Sequence, residues 1–145
     1  MTCAKESGIR LFNDVSRDFN RRLSVTESND IFPAKVKNPQ FQEVYDVLPK
    51  DVLDNKELVY LIDVRRPDEF NGELGHIKGS KLLTLDFLPQ KINELKTDKP
   101  IVFICRSGNR SAHAASFALQ NGIKNIYNMS GGMILWNELG FEKEY

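Results

Sequence analysis

Seven consecutive residues, Cys105-Arg-Ser-Gly-Asn-Arg-Ser111, follow directly on the apolar run Ile101-Val-Phe-Ile104 and precede an alanine-rich stretch. A thiol, two guanidinium groups and a glycine in so short a window are the ingredients of a thiolate nucleophile beside an anion site. Gly108 can adopt a positive φ and let the chain curl, so that the N–H groups from Arg106 to Ser111 converge as a nest. A helix beginning near Ser111 adds the positive end of its dipole to the same space. With Arg106 and Arg110, these donors favour the thiolate over the thiol, as at other electropositive cysteine sites. A lone strand-end cysteine is otherwise only a small buried hydrophobe; the loop, arginines and helix start in one window argue for the reactive reading.

Such a cradle suits a compact dianion with a terminal sulfur, and thiosulfate fits that description. In the expected double displacement Cys105 attacks the sulfane sulfur, sulfite leaves, and cyanide, glutathione or a protein thiol then removes the sulfur from the resulting persulfide. Arg106, Ser107, Gly108, Asn109, Arg110 and Ser111 are the substrate-binding candidates, the two arginines orienting the oxyanions. His113 falls inside the following helix, and a thiolate stabilised by a nest needs no base, so it reads as a helix-face residue.

The elements that must position this loop are legible as short apolar runs alternating with helical patterns. Residues 59–64, 81–85, 101–105 and 125–129 read as strands buried on both faces. Residues 49–55, 86–95, 111–121 (ending at Gly122) and 133–139 (ending at Gly140) read as helices. The alternation predicts an α/β domain with a mostly parallel sheet and helices on both faces, and ligands at the carboxyl ends of the strands.

This domain is expected over 41–145. Residues 1–40 form an extension, with a polar linker over 24–40 and an amphipathic helix carrying Ile9, Phe12, Val15, Phe19 and Leu23 beside Arg10, Arg17, Arg21 and Arg22. Glu6, Asp14 and Asp18 interrupt what would otherwise resemble a mitochondrial presequence, which are poor in acids. A helix that packs on the domain or on a twin subunit, in a homodimer, is the favoured reading.

Composition narrows the function classes. The 145 residues contain 41% apolar side chains, enough for one core, and 20 basic against 20 acidic residues, so no overall field attracts nucleic acid or an anionic membrane. The two cysteines, Cys3 and Cys105, have neither C-x-x-C spacing nor histidines at ligand spacing, which argues against a metal site or disulfide framework. Neither a cofactor nor a metal is expected. Without an apolar run of spanning length, the expected setting is the cytoplasm, with the mitochondrial matrix as the alternative.

Four ordered segments, Leu61-Ile-Asp-Val-Arg-Arg-Pro-Asp-Glu-Phe70, Gly75-His-Ile-Lys-Gly-Ser80, Cys105-Arg-Ser-Gly-Asn-Arg110 and Gly131-Gly-Met-Ile-Leu-Trp136, resemble the signatures of the rhodanese-homology family over roughly 41–141. The resemblance implies a five-stranded parallel sheet with flanking helices and the persulfide chemistry proposed for Cys105. Asp63, Arg65 and His76 read as structural support of the site, with Glu69 as a partner for Arg65. Gly131 and Gly132 suggest a turn that allows close backbone approach, and Trp136 a core residue. Rival readings are a persulfide relay or adaptor module served by a sulfur-donor protein, and a phosphatase or arsenate reductase of the same fold. The phosphatase signature needs five residues between cysteine and arginine, whereas four separate Cys105 from Arg110.

Overall fold

The computed structural model describes residues 30–145; the expected N-terminal helix and Cys3 lie outside the described residues. Six strands form one sheet: β1 (Val36–Lys37), β2 (Tyr45–Val47), β3 (Tyr60–Asp63), β4 (Lys81–Leu82), β5 (Ile101–Ile104) and β6 (Ile126–Met129). Their order is β1-β2-β6-β5-β3-β4. All neighbours are parallel except β1 and β2, which pair antiparallel with Val36 opposite Asp46 and Lys37 opposite Tyr45. The expected five parallel strands are present, and β1 makes the sheet six-stranded.

This sixth strand comes from the polar stretch read as a linker. Both its residues are exposed, so it carries no burial pattern that a sequence could display. Pairing is fixed instead by a turn around Asn38, whose Oδ1 accepts the N–H groups of Gln40 and Phe41 at 2.8 and 2.9 Å. Its Nδ2 donates to Asp46 on β2.

Among the described residues, four α-helical segments lie between strands, α1 (Pro49–Asp54), α2 (Pro67–Phe70), α3 (Leu88–Lys91) and α4 (Asn109–Gln120), and α5 (Gly132–Glu138) follows β6. The helix expected over 86–95 is instead a short α3 flanked by 3₁₀ turns at Leu85–Phe87 and Ile92–Glu94. Pro89 supplies no N–H, which suits the first turn of a helix and not its middle. The four-residue α2, too short for a periodic signal, starts with Pro67, and Glu69 accepts the Arg66 N–H at 3.2 Å.

Every residue of β5 is buried, so both faces of the central strand are covered, and that is why its sequence is uniformly apolar. On one face Ile101, Phe103, Cys105 and Ile126 pack with Ala114, Ala115 and Ala118 of α4. Alanines at these positions let the helix backbone approach the sheet closely. Gly122 (φ 85°) ends α4 as expected. Among the described residues, no helix is long and apolar enough to cross a membrane.

Candidate active site

Cys105 is the first residue after β5, at the carboxyl end of the sheet, and is 1% exposed. The chain turns at Arg106 and Ser107, both exposed, and enters α4 through Gly108 at φ 105°, a conformation open mainly to glycine. Because Gly108 itself caps the helix, α4 begins at Asn109, two residues ahead of the expected Ser111. Asn109, Arg110 and Ser111 are therefore the first turn of the helix and not part of the loop. Its first backbone bond beyond the cap runs from the Ala112 N–H to the Gly108 carbonyl, so the N–H groups of those three residues have no intrahelical acceptor.

The sulfur has two close polar neighbours. The Gly108 N–H reaches Cys105 Sγ at 3.0 Å, and the Ser111 hydroxyl lies 3.2 Å from it. Ser111 also bonds Asn128 Oδ1 from β6. Asn128 Nδ2 donates to the Gly108 carbonyl at 3.2 Å and to Asp46 Oδ1 at 2.9 Å. Helix α5 closes the loop from the other side, where the Met133 and Ile134 N–H groups donate to the carbonyls of Cys105 and Arg106 at 2.9 and 3.0 Å. The approach is close enough that a Cβ on Gly132 would stand 2.4 Å from the Arg106 carbonyl oxygen. The glycine pair read from the sequence as a close-approach turn thus approaches the cysteine loop itself.

The two arginines beside the cysteine, Arg106 in the loop and Arg110 in the first turn of α4, differ. Arg106 is exposed and forms no ion pair among the described residues. Arg110 donates two 2.8 Å hydrogen bonds to Glu69 of α2, one to each carboxylate oxygen. The guanidinium holds the Glu69 carboxyl well below its ordinary 4.5, at about 2, against the opposing effect of burial. The Glu69 carboxylate is therefore the partner of Arg110, with Arg66 Nη1 3.3 Å away, while Arg65 meets Glu69 only at its backbone carbonyl. A cleft of about 210 Å³ beside the loop is lined by Arg65, Asp68, Glu69, Gly72, Glu73, Leu74 and Arg106, giving its mouth both signs of charge.

The three residues expected as support stand behind this cleft. Arg65 and Asp63 are almost fully buried and pair through 2.8 and 2.7 Å bonds. Arg65 also donates to the carbonyls of Gly75 (2.7 Å) and Glu69 (3.2 Å). His76 stacks on Phe70 with ring centroids 3.7 Å apart, and its Nδ1 lies 2.8 Å from the Phe70 carbonyl. Its backbone pairs with Glu144. The fold thus ties Asp63, Arg65 and His76 to each other through the 70–76 segment, and Glu69 joins that group to Arg110 of the cysteine segment. His113 is exposed on α4, edge-on to Phe41.

Asn128 and Asp46 were not legible as site residues. The available signal was a polar side chain inside the otherwise apolar run Ile126-Tyr-Asn-Met129, since a buried amide requires partners. Nothing in a linear pattern says that those partners are Ser111 and Gly108. No group of three histidine, cysteine, aspartate or glutamate side chains among the described residues is placed to hold a metal ion.

Comparisons with known proteins agree with this fold. A family model described as rhodanese-like domain matches residues 48–139. The chain is 46% identical over 76 residues to an uncharacterized protein, YqhL, of Bacillus subtilis, a match covering 52% of this chain and 59% of that one. It is 34% identical over 93 residues to the thiosulfate sulfurtransferase GlpE of Pseudoalteromonas translucida, covering 64% of this chain and 86% of that protein. The crystal structure of a rhodanese-related protein from Thermoplasma volcanium superposes with a TM-score of 0.63 at 34% identity, over 67% of this chain and 94% of the other. With the family model spanning most of the described domain, the chain belongs to the rhodanese-like domain family.

Proposed function

We propose that the protein is a sulfurtransferase that carries a sulfane sulfur as a persulfide on Cys105, loading it from thiosulfate or a persulfide donor and passing it to cyanide or another thiol acceptor. The observation that carries this reading is the sulfur's setting. Cys105 Sγ ends a buried strand, accepts the Gly108 N–H, and faces a helix whose first-turn N–H groups have no intrahelical acceptor. Those donors suit a negative charge that moves from Sγ to the terminal sulfur of a persulfide, because they are fixed by the fold and need no reorganisation. The sulfurtransferase names of several relatives support the same chemistry.

In the loading step Cys105 Sγ attacks the outer sulfur of thiosulfate. A new S–S bond forms, the donor S–S bond breaks, and sulfite leaves with the electron pair. Arg106, exposed and without an ion-pair partner among the described residues, is positioned to meet the oxyanion first. Arg110 keeps N–H donors beyond the two bonded to Glu69 with which to meet it. Transfer reverses the pattern: an acceptor thiolate or cyanide attacks the terminal sulfur and Cys105 leaves as the thiolate.

The test is an intact-mass measurement after incubation with thiosulfate and desalting. Wild type and Cys3→Ser gain one sulfur atom that cyanide removes as thiocyanate, while Cys105→Ser gains none. Absence of loading from thiosulfate together with fast loading from a protein persulfide would instead support the relay. An aryl-phosphate hydrolysis that Cys105→Ser abolishes would support the phosphatase reading, against the argument from the four-residue spacing.

A further inference from the structure

The Ser111 hydroxyl touches two groups that both want its single proton. One is Cys105 Sγ at 3.2 Å and the other Asn128 Oδ1. The orientation of the Asn128 amide is not free. Its Nδ2 faces the Asp46 carboxylate and the Gly108 carbonyl, both pure acceptors, so turning the amide over would place Oδ1 against two oxygens. Oδ1 must therefore face Ser111, and Asn128 is 1% exposed, leaving no water to replace that donor.

From this geometry we infer that Asn128 is a positioning residue that competes with Cys105 for the Ser111 proton, so that the hydroxyl toggles between Asn128 Oδ1 and Cys105 Sγ as the sulfur gains and loses charge. With the thiol, S–H donates to Ser111 Oγ and Oγ–H donates to Asn128, and every group is satisfied. When the thiol proton leaves to buffer, the hydroxyl rotates to donate to Sγ, and Asn128 Oδ1 is left buried without a donor. Attack on a sulfane sulfur makes Sγ neutral again, and the hydroxyl returns to Asn128 while the charge passes to the terminal sulfur. The asparagine thus restrains the empty cysteine and favours the loaded one. The inference concerns the nucleophile of the transfer proposed above, but it can be read without any sulfur donor.

The charged groups around this chain are Arg106 and Arg110 beside the cysteine, Glu69 from α2, Asp63 at the end of β3 with Arg65 just beyond it, and Asp46 from β2. All but Asp46 lie outside the Asn128 bonds, and Asp46 keeps the Asn38 amide as a second donor.

The experiment is alkylation of the intact chain by iodoacetamide in mildly acidic buffer, with thiolate ultraviolet absorbance as a second readout, on a double-mutant cycle. Cys3→Ser is the background for all variants. Asn128→Leu keeps the number and branching of the side-chain heavy atoms, removes the competitor, and raises both the alkylation rate and the thiolate signal, by up to roughly tenfold at a pH where the wild-type thiol is mostly protonated, the scale of one hydrogen bond to a charged group. Ser111→Ala lowers both, and adding Asn128→Leu to it changes neither further. A slower Asn128→Leu, or an Asn128 effect that persists without the Ser111 hydroxyl, overturns the inference. Should Asn128→Leu not fold, the wild type decides: the Asn128 side-chain amide resonances follow Cys105 ionisation, and Ser111→Ala removes that response. Resonances that stay fixed in the wild type overturn the inference equally. Thiosulfate loading that fails while the cycle behaves as stated removes the proposed function and leaves this inference standing.

Discussion

Two arginine–carboxylate pairs flank the cysteine loop, both bidentate, one through Nε and Nη2 of Arg65 and the other through the two terminal nitrogens of Arg110, and they lie in opposite surroundings. Asp63 and Arg65 lie two residues apart at the end of β3, with side chains 0% and 1% exposed. Glu69 and Arg110 come together from 41 residues apart, with side chains 15% and 34% exposed. In the first pair every bond is internal, and Arg65 spends its remaining donors on two carbonyls. In the second, water and a substrate anion can compete. An ion pair sealed in the interior is a strut, since losing either partner strands a charge. An ion pair at a cleft is adjustable, because solvent covers the loss.

The strut gives the largest expected effect. Arg65→Ala leaves the buried Asp63 carboxyl without its guanidinium partner, and should destabilise the domain by about 3–5 kcal/mol, read by chemical denaturation. A loss below 1 kcal/mol, on the scale of an exposed pair, would erase the contrast. The adjustable pair should behave differently, changing function more than stability. Arg110→Ala should alter stability by no more than about 1 kcal/mol while raising KM for thiosulfate roughly tenfold, the scale of one lost charge-assisted bond. Glu69→Gln sharpens this. Freed from its carboxylate, Arg110 should bind the anion better and KM should fall several-fold. A rise would mean that Glu69 orients Arg110 for the substrate and does not compete with it.

The smallest effect is a pH dependence. Folding depresses the Glu69 carboxyl from 4.5 to about 2, so its contribution to stability is fully present above about pH 4.5 and is lost as the pH falls through about 2. The difference in Tm between wild type and Glu69→Gln should therefore be constant from neutrality to about pH 4.5 and vanish near pH 2. A difference that vanishes already at pH 4.5 would show that Arg110 does not hold the carboxylate in solution.

Much of this site was legible in the chain because its signals are local. The continuous apolar run of Ile101–Ile104 identified a strand covered on both faces, and Gly108 after Cys105 marked a turn that needs positive φ. The glycine pair before Met133 signalled close approach for the same reason. The failures share a different cause. β1 is held by a side-chain turn at Asn38 and by an exposed ladder, neither of which imposes a period on the sequence. The helix expected over 86–95 showed apolar spacing, but Pro89 and short 3₁₀ turns broke it into pieces. Assigning Glu69 to Arg65 was a judgement of sequence proximity, whereas the Glu69 carboxylate turns toward α4.

By itself, then, the sequence determined an α/β domain of parallel strands and a cysteine at a strand end beside a glycine turn and two arginines. Burial pattern and backbone conformation follow from residues close in the chain. Only the tertiary structure decided which carboxylate each arginine meets, and that Asn128 and Asp46 stand behind Ser111. Those partners lie on strands and helices brought together by sheet order, and a side chain's pairing depends on distances across the sheet that no local spacing encodes.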